Sequence, residues 1–337
     1  MVRMARTMAS EDRKSLDVPI AGHNAPDVQL VIVVLAYGSG DNVSDLLGSL
    51  RREMITAANK LIVVHNPSRP GETLALSGFD DISLVELAAN RGYVGGMNAG
   101  IDLALQSNPA FVLLLTHDIR IVGSDVQRLI SLLSDHSSYG VIGPILGEPD
   151  MPPYSAGIVR SHCVRMQHRL PAGDVVRPLW PCPALDGSAM MWRATALEAT
   201  NGFDERFFMY FDDVDICARA MKCGWRLAAA TDVYAISAPG KGNRRTAHAY
   251  LRARNGLAYA RVFGRSGLLA GLVECAIGLW HATPKPGGRR FRDPQARQFA
   301  AQYWRGTLLG MVDYFRGRWG PPPSRIMRDG DIAATSS

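Results

Sequence analysis

Three carboxylates fall within four residues at Asp212, Asp213 and Asp215, directly after the aromatic run Phe207-Phe208-Met209-Tyr210-Phe211. Like charges in so apolar a segment repel one another. Their company points to a bound cation, a polyhydroxylated ligand or a carboxylate tuned for proton transfer. A plainer origin is an acidic first turn on a helix starting near Asp212, favoured by the macrodipole, with Arg219 as an ion-pair partner one turn on. A second polar set, Tyr37, His65, Asn66, Asn90, Arg91 and Asp118, follows the ends of short apolar runs.

Those runs predict the elements that must position these residues. Residues 28–36 are a continuous apolar, largely β-branched strand, followed by a loop and a helical pattern through Val43, Leu46, Leu47, Leu50 and Met54. Strands are expected at 61–64, 83–87 and 111–115, with a helix over 93–105. Strands alternating with helices imply right-handed βαβ units and a parallel sheet covered on both faces. In such a sheet ligands bind at the carboxyl ends of the strands, where the polar set gathers. Residues 147–183, rich in Pro, Gly and Arg, read as an irregular, partly extended insertion, and from Thr246 onward the pattern turns helical.

With 337 residues, 47% of them hydrophobic, the chain can bury a full core. No apolar stretch reaches the roughly 20 residues a spanning helix needs. The first 27 residues mix both charge signs and read as a disordered leader. Five cysteines without CxxC spacing fit a reducing, cytoplasmic setting. The formal charge of +6 resides in residues 282–337, where ten Lys and Arg face four Asp. This basic tail after the apolar stretch 268–280 suggests peripheral contact with the inner face of a membrane. Its arginines alternatively solvate a helical bundle, and the apolar helix alternatively forms a homodimer interface. No nucleic-acid-binding motif accompanies the tail.

Four segments together carry a resemblance: residues 31–37, the run Asn90-Arg91-Gly92-Tyr93-Val94-Gly95-Gly96-Met97-Asn98-Ala99-Gly100-Ile101, residues 113–119, and Asp186-Gly187-Ser188-Ala189-Met190-Met191-Trp192-Arg193 leading into 202–219. In this order they resemble the inverting family-2 glycosyltransferases of the GT-A fold, in the branch of rhamnosyl and galactofuranosyl transfer. The resemblance implies a Rossmann-like α/β fold, a mixed sheet flanked by helices over 28–262, with a helical, basic C-terminal extension over 263–337. It implies transfer of a sugar from a UDP- or dTDP-linked donor to a hydroxyl acceptor, on a lipid-linked intermediate, a polysaccharide or a secondary metabolite. Asp213 matches the catalytic base, which must take the acceptor's proton as the hydroxyl attacks opposite the diphosphate. Asp118 matches the last aspartate of the family's metal motif, suited to Mg²⁺ or Mn²⁺. The donor is expected at Tyr37, His65, Asn66, Arg91, Gly95, Asn98, Thr116 and His117, with the Gly-rich segment bringing backbone and a helix N-terminus to the diphosphate. Asp186, Gly187, Tyr210, Asp212 and Asp215 are expected around the sugar and the acceptor, with Phe207 and Phe208 as core.

The sequence departs from the family twice. His65-Asn66-Pro67-Ser68 stands where the family carries Asp-Asn-Ala-Ser, which bears on the nucleobase. The histidine usually found about twenty residues beyond the acidic motif is missing from the run around Ala235-Ile236-Ser237. His117 from another direction, or cation charge from Lys241, Arg244 or Arg245, can replace it, while His248 reads as a packing or surface residue. A nucleotidyltransferase is the other enzyme reading, weakened by the poor phosphate loop at Tyr37-Gly38-Ser39-Gly40. A sugar-nucleotide-binding protein without catalysis is the non-enzymatic one.

Overall fold

The computed structural model describes residues 28–38, 40–54, 59–74, 76, 78–79, 82–147, 157–159, 166–168, 177–237, 245–285 and 293–327. The predicted leader, most of the insertion over 147–183, and the alternative cations Lys241 and Arg244 lie outside the described residues. The side chain of Arg245 does too.

β1 (Val28–Tyr37) runs at the centre of the parallel half of the sheet, and α1 (Gly40–Met54) follows it. β2 (Asn59–Asn66) and β3 (Ser83–Glu86) lie to one side, and β4 (Pro109–Thr116) pairs with β1 on the other. Between β3 and β4 lies α2 (Gly92–Leu105). These strands match the expected alternation: β1, β2 and β4 run one, four and three residues longer than expected, and β3 one residue shorter. β1 shows why its sequence reads as unbroken apolar: Val31, Val33 and Leu35 enter one core cluster, while Leu30, Ile32 and Val34 enter the other. A period of two buried on both faces leaves no polar alternation to see.

Beyond β4 the sheet is no longer uniformly parallel. β5 (Ile119–Arg120), α3 (Gly123–Asp135), β6 (Tyr139–Leu146), the small hairpin β7 (Gly157–Val159) and β8 (Met166–His168), and β9 (Leu179–Pro181) come next. β10 (Ala189–Arg193) then inserts antiparallel between β4 and β6. α4 (Ala194–Thr200) and α5 (Asp212–Lys222) lead to β11 (Arg226–Ser237), parallel to β6 and antiparallel to β5 and β9. The strand order is β3-β2-β1-β4-β10-β6-β11-β5. The sheet is therefore mixed and flanked by helices, as the resemblance implies. The wholly parallel sheet expected from the βαβ pattern fails at β10, because Met190, Met191 and Trp192 are buried and carry no signal of direction.

The C-terminal part comprises α6 (Arg245–Arg261), α7 (Gly264–Ala282), α8 (Pro294–Phe315) and α9 (Ser324–Met327). α8 lies close along α6: Gly306 and Gly310 face the backbone of Thr246 and Tyr250, and a Cβ at either would fall 2.4 or 2.3 Å from a carbonyl oxygen. No helix among the described residues is long and apolar enough to cross a membrane.

Candidate active site

The sheet brings its polar termini together along one edge. Tyr37 pairs with Asn66 across β1 and β2, and Leu35 with Thr116 across β1 and β4. Beyond β4 the chain turns through His117 and Asp118, both half-buried, and the His117 amide donates to the Leu35 carbonyl (3.1 Å). Thr116 N–H donates to Ser188 O (3.0 Å), drawing the Asp186-Gly187-Ser188 turn to the same edge. Asp186 folds back onto that turn, its Oδ1 accepting from Ser188 N–H (2.9 Å).

α5 brings in the acidic group. Asp213 accepts from the Val214 amide (2.8 Å) and from the Gly187 amide. Burial and the charge of Asp186 nevertheless raise its pKa to about 7. Asp212 is buried and pushed well above the usual carboxylate range by that burial and by Asp213. Asp215 points elsewhere: it pairs with Arg219 one helical turn on (2.8 Å), and burial still raises it. Tyr93 completes the cluster, donating its hydroxyl to Gly187 O (2.6 Å). Burial and the carboxylates Asp212, Asp213 and Asp186 keep it protonated by raising its pKa well above 10.

The loop before α5 is held under strain. Phe208, Tyr210 and Phe211 have φ of 66°, 69° and 67°, where side chains other than glycine cost of order 1–3 kcal/mol each. Two residues of α6, Arg254 and Asn255, each 0% exposed, hold it there. Asn255 Nδ2 reaches Phe207 O, Met209 O and Tyr210 O at 2.8–3.0 Å. Arg254 donates to Phe207 O (3.1 Å) and to Gly320 O (2.8 Å), so the segment after α8 is tied to the same loop. Phe207 and Phe208 are core, as expected. His248 packs edge-on against Tyr210 with ring centroids 4.9 Å apart, and burial with nearby Arg252 lowers its pKa to about 4.

Several residues expected at the donor make contacts within the protein's own scaffold. Asn66 is buried, and its amide donates to Asn90 Oδ1 (3.1 Å) and Gly92 O (3.0 Å) while accepting from Arg91 N–H (2.8 Å). Asn98 clamps Phe203 from both sides, at 2.9 and 2.8 Å. Arg91 pairs with Glu205 at the exposed rim (2.7 Å). The amide of Val94, in the first turn of α2, donates to Phe208 O (3.2 Å), so the loop before α5 meets the helix N-terminus expected at the diphosphate. The glycines follow suit. Gly92 (φ 72°) would put a Cβ 2.3 Å from Phe208 O, Gly95 lies against Arg91, and Gly96 and Gly100 admit Leu35 and Val33 of β1. Side-chain amides and glycines have the same residue types whether they serve a ligand or a turn, so only their partners distinguish the roles.

Two polar atoms at the edge stay unanswered. His65 is 1% exposed, and neither its Nε2 nor Thr116 Oγ1 has a hydrogen-bond partner among the described residues. Buried polar groups are rarely left so, and at a ligand edge such atoms fit a ligand that supplies the partner. For the metal, no group of three candidate ligands exists among the described residues. β5 pairs with Ile236 and Ser237 of β11, so the stretch lacking the family's histidine lies beside the Asp118 turn. Asp118 as a single carboxylate fits the manner in which Mg²⁺ is held by one or two carboxylates together with substrate phosphates. Arg120 is a fixed cation in the same turn, its guanidinium on His117 O (3.4 Å) and near Asp45 (3.7 Å).

Tyr93, Arg254 and Asn255 escape the sequence reading of the site. Tyr93 lies inside the Gly-rich run and reads as helix. Arg254-Asn255 breaks an apolar face between Leu251 and Leu257, which is the signal that could have found it.

Comparison with known proteins agrees with this fold. Residues 26–258 match the family described as glycosyltransferase like family 2. The low-salt glycan biosynthesis hexosyltransferase Agl10 of Haloferax volcanii is 29% identical over 196 residues, 57% of this chain and 62% of that protein, so under two thirds of its length is matched. The N-acetylglucosaminyl-diphospho-decaprenol L-rhamnosyltransferase of Mycobacterium tuberculosis is 25% identical over 225 residues, 58% of this chain and 71% of that one. Among solved structures, the mannosyltransferase PcManGT of Pyrobaculum calidifontis, in complex with GDP-Man and Mn²⁺, superposes with a TM-score of 0.51 at 14% identity, covering 90% of this chain and 92% of that one. GalNAc-T7 with UDP, GalNAc and Mn²⁺ gives 0.57 at 10% identity, over 88% and 59%. The fold is the GT-A fold.

Proposed function

We infer the reaction from one premise: the chain belongs to glycosyltransferase-like family 2 and is a glycosyltransferase. It moves a sugar, rhamnose or another deoxysugar or furanose, from a UDP- or dTDP-linked donor to a hydroxyl acceptor with inversion. The observation that carries this reading is Asp213, a carboxylate whose pKa of about 7 suits a general base at neutral pH, beside the Asp186-Gly187 turn.

Asp213 takes the proton of the acceptor hydroxyl as its oxygen forms the new bond to the anomeric carbon. The bond from that carbon to the diphosphate breaks on the opposite side, and the leaving group departs with the electron pair. Gly187 N–H and Val214 N–H hold the Asp213 carboxylate still, while Tyr93 fixes Gly187 through its carbonyl. Preorganisation of this kind avoids reorientation during the reaction. Asp186 both crowds Asp213 and faces the sugar. Asp212 and Tyr210 line the approach of the acceptor, and Asp215 supports the helix through Arg219. His65 Nε2 and Thr116 Oγ1, with Tyr37 and His117 beside them, receive the nucleoside part of the donor. Arg91 reaches the diphosphate only by leaving Glu205. Asp118 would hold a divalent cation, which when bound would supply charge to offset that of the leaving diphosphate.

The relative named for a decaprenol-linked substrate favours a lipid-linked acceptor. The test is incubation of the protein with UDP- and dTDP-sugars and a polyprenyl-diphosphate-linked acceptor, following nucleoside diphosphate release and the anomeric configuration of the product. Release with inversion is expected for one donor. Donor binding without release under any acceptor would leave only a sugar-nucleotide-binding protein.

A further inference from the structure

We propose that one face of the C-terminal helices lies on an anionic membrane surface. On α7, Leu269, Val273, Ile277 and Trp280 recur every three to four residues and are 38–67% exposed. On α8, Trp304, Leu308, Val312 and Phe315 recur in the same way at 39–62%. Isolated exposed apolar residues are ordinary, but two stripes at helical spacing form a continuous patch.

The stripes adjoin. Trp304 Nε1 donates to Thr283 Oγ1 just past the end of α7 (2.9 Å), while Leu268 near its start shares a cavity with Tyr314 and Phe315. The helices therefore run antiparallel, with Leu269 towards Phe315 and Trp280 towards Trp304.

Charge selects the occupant. Arg261, Arg265 and Arg316 are exposed at one end of the face, and Lys285 and Arg297 at the other, where the exposed Asp293 caps α8. Within α7 and α8 no exposed residue is a carboxylate: Glu274 is half-buried and Asp313 is buried. Cations around an apolar face, with two tryptophans at one end, match a bilayer interface carrying negative headgroups. A second copy of the chain would bring identical cationic rims together across a two-fold axis. Since no described helix can span, the face lies on the membrane.

The shared cavity, about 470 Å³, starts beside this face at Leu268 and Phe315 and reaches Phe207 and Asp215 at the catalytic-side loop. If the lipid-linked acceptor reading above holds, docking puts that loop at the surface where the acceptor resides. The docking itself does not depend on that reading.

The test is sedimentation of the full chain with vesicles of phosphatidylcholine alone or mixed with phosphatidylglycerol, alongside Trp fluorescence. Wild type should pellet with the mixed vesicles and shift its emission to the blue. Val273→Glu and Val312→Glu, both at exposed positions, should lose pelleting while keeping the wild-type melting temperature. Arg265→Glu with Arg297→Glu should weaken binding to mixed vesicles at least about fivefold. Wild type indifferent to both vesicles, or Glu variants that pellet unchanged, would overturn the proposal. A dimer in solution that Val273→Glu dissociates would overturn it in favour of a second copy. Vesicle binding is read without turnover, so a failed transfer assay leaves this result standing.

Discussion

Around Asp213 the fold has assembled Asp212 and the Val214 amide from α5, Asp186 and the Gly187 amide from the turn before β10, and Tyr93 from α2. Around Asp118 the described residues supply a turn, the guanidinium of Arg120 and no group of three candidate metal ligands. On the proposed reading, the proton-transfer side of the site is built before any ligand arrives, whereas the diphosphate side would leave part of its charge balance to the ligand and a cation. The difference follows from the chemistry: a base must be desolvated and fixed to hold its pKa near neutrality, while a hard cation brings its own charge and accepts phosphate and water oxygens.

The sharpest break of this contrast is Asp213→Asn. Turnover should fall about 10²–10⁴-fold with donor affinity retained. The folded pKa of Asp213 is raised, so the wild type loses stability as pH rises from the unfolded value near 4 through about 7. Asp213→Asn should therefore be more stable than wild type at pH 8, by an amount on the order of a few kcal/mol. Urea unfolding should show the gain disappearing towards pH 4.

Asn255→Ala attacks the support of the same side without touching substrate. Losing the anchor of three loop carbonyls should cost about 1–3 kcal/mol and reduce kcat more than it changes KM for donor. An unchanged kcat in folded protein would show that the strained loop needs no clamp.

On the other side, Asp118→Asn or chelation should weaken donor binding about tenfold, the scale of one charge interaction of roughly 1.4 kcal/mol. Calorimetry with Mg²⁺, Mn²⁺ and EDTA measures this directly, and indifference to chelation would shift the diphosphate's charge balance to Arg120 or Arg91. The smallest effect is expected from Asp186→Asn. The rate should rise with pH through about 7 in the wild type as Asp213 loses its proton. Removing the neighbouring charge should move that limb to lower pH, with only a few-fold change on the plateau.

The central strands were legible because a strand buried on both faces needs an unbroken apolar run, as 28–36 shows. The acidic cluster was legible because three carboxylates after five apolar residues conflict with ordinary burial. Asn66, Asn98 and the glycines of α2 were visible as residues, but their contacts within the scaffold were not. The same amide that can bind a nucleotide can hold the Asn90–Gly92 turn or Phe203, and sequence distance of 24 to 105 residues hides which. β10 was missed as an antiparallel strand because burial on both faces erases direction.

The sequence by itself determined the family, the α/β alternation and the carboxylates able to do the chemistry, since these depend on residue type and near spacing. Tertiary structure alone decided that Asp213 meets Gly187 while Asp215 turns to Arg219, that α6 holds the loop in its positive-φ conformation, and that the stretch lacking a histidine lies beside Asp118. The physical reason is range: pKa, strain and partner choice arise from desolvation and contacts between segments far apart in the chain, which local composition does not encode.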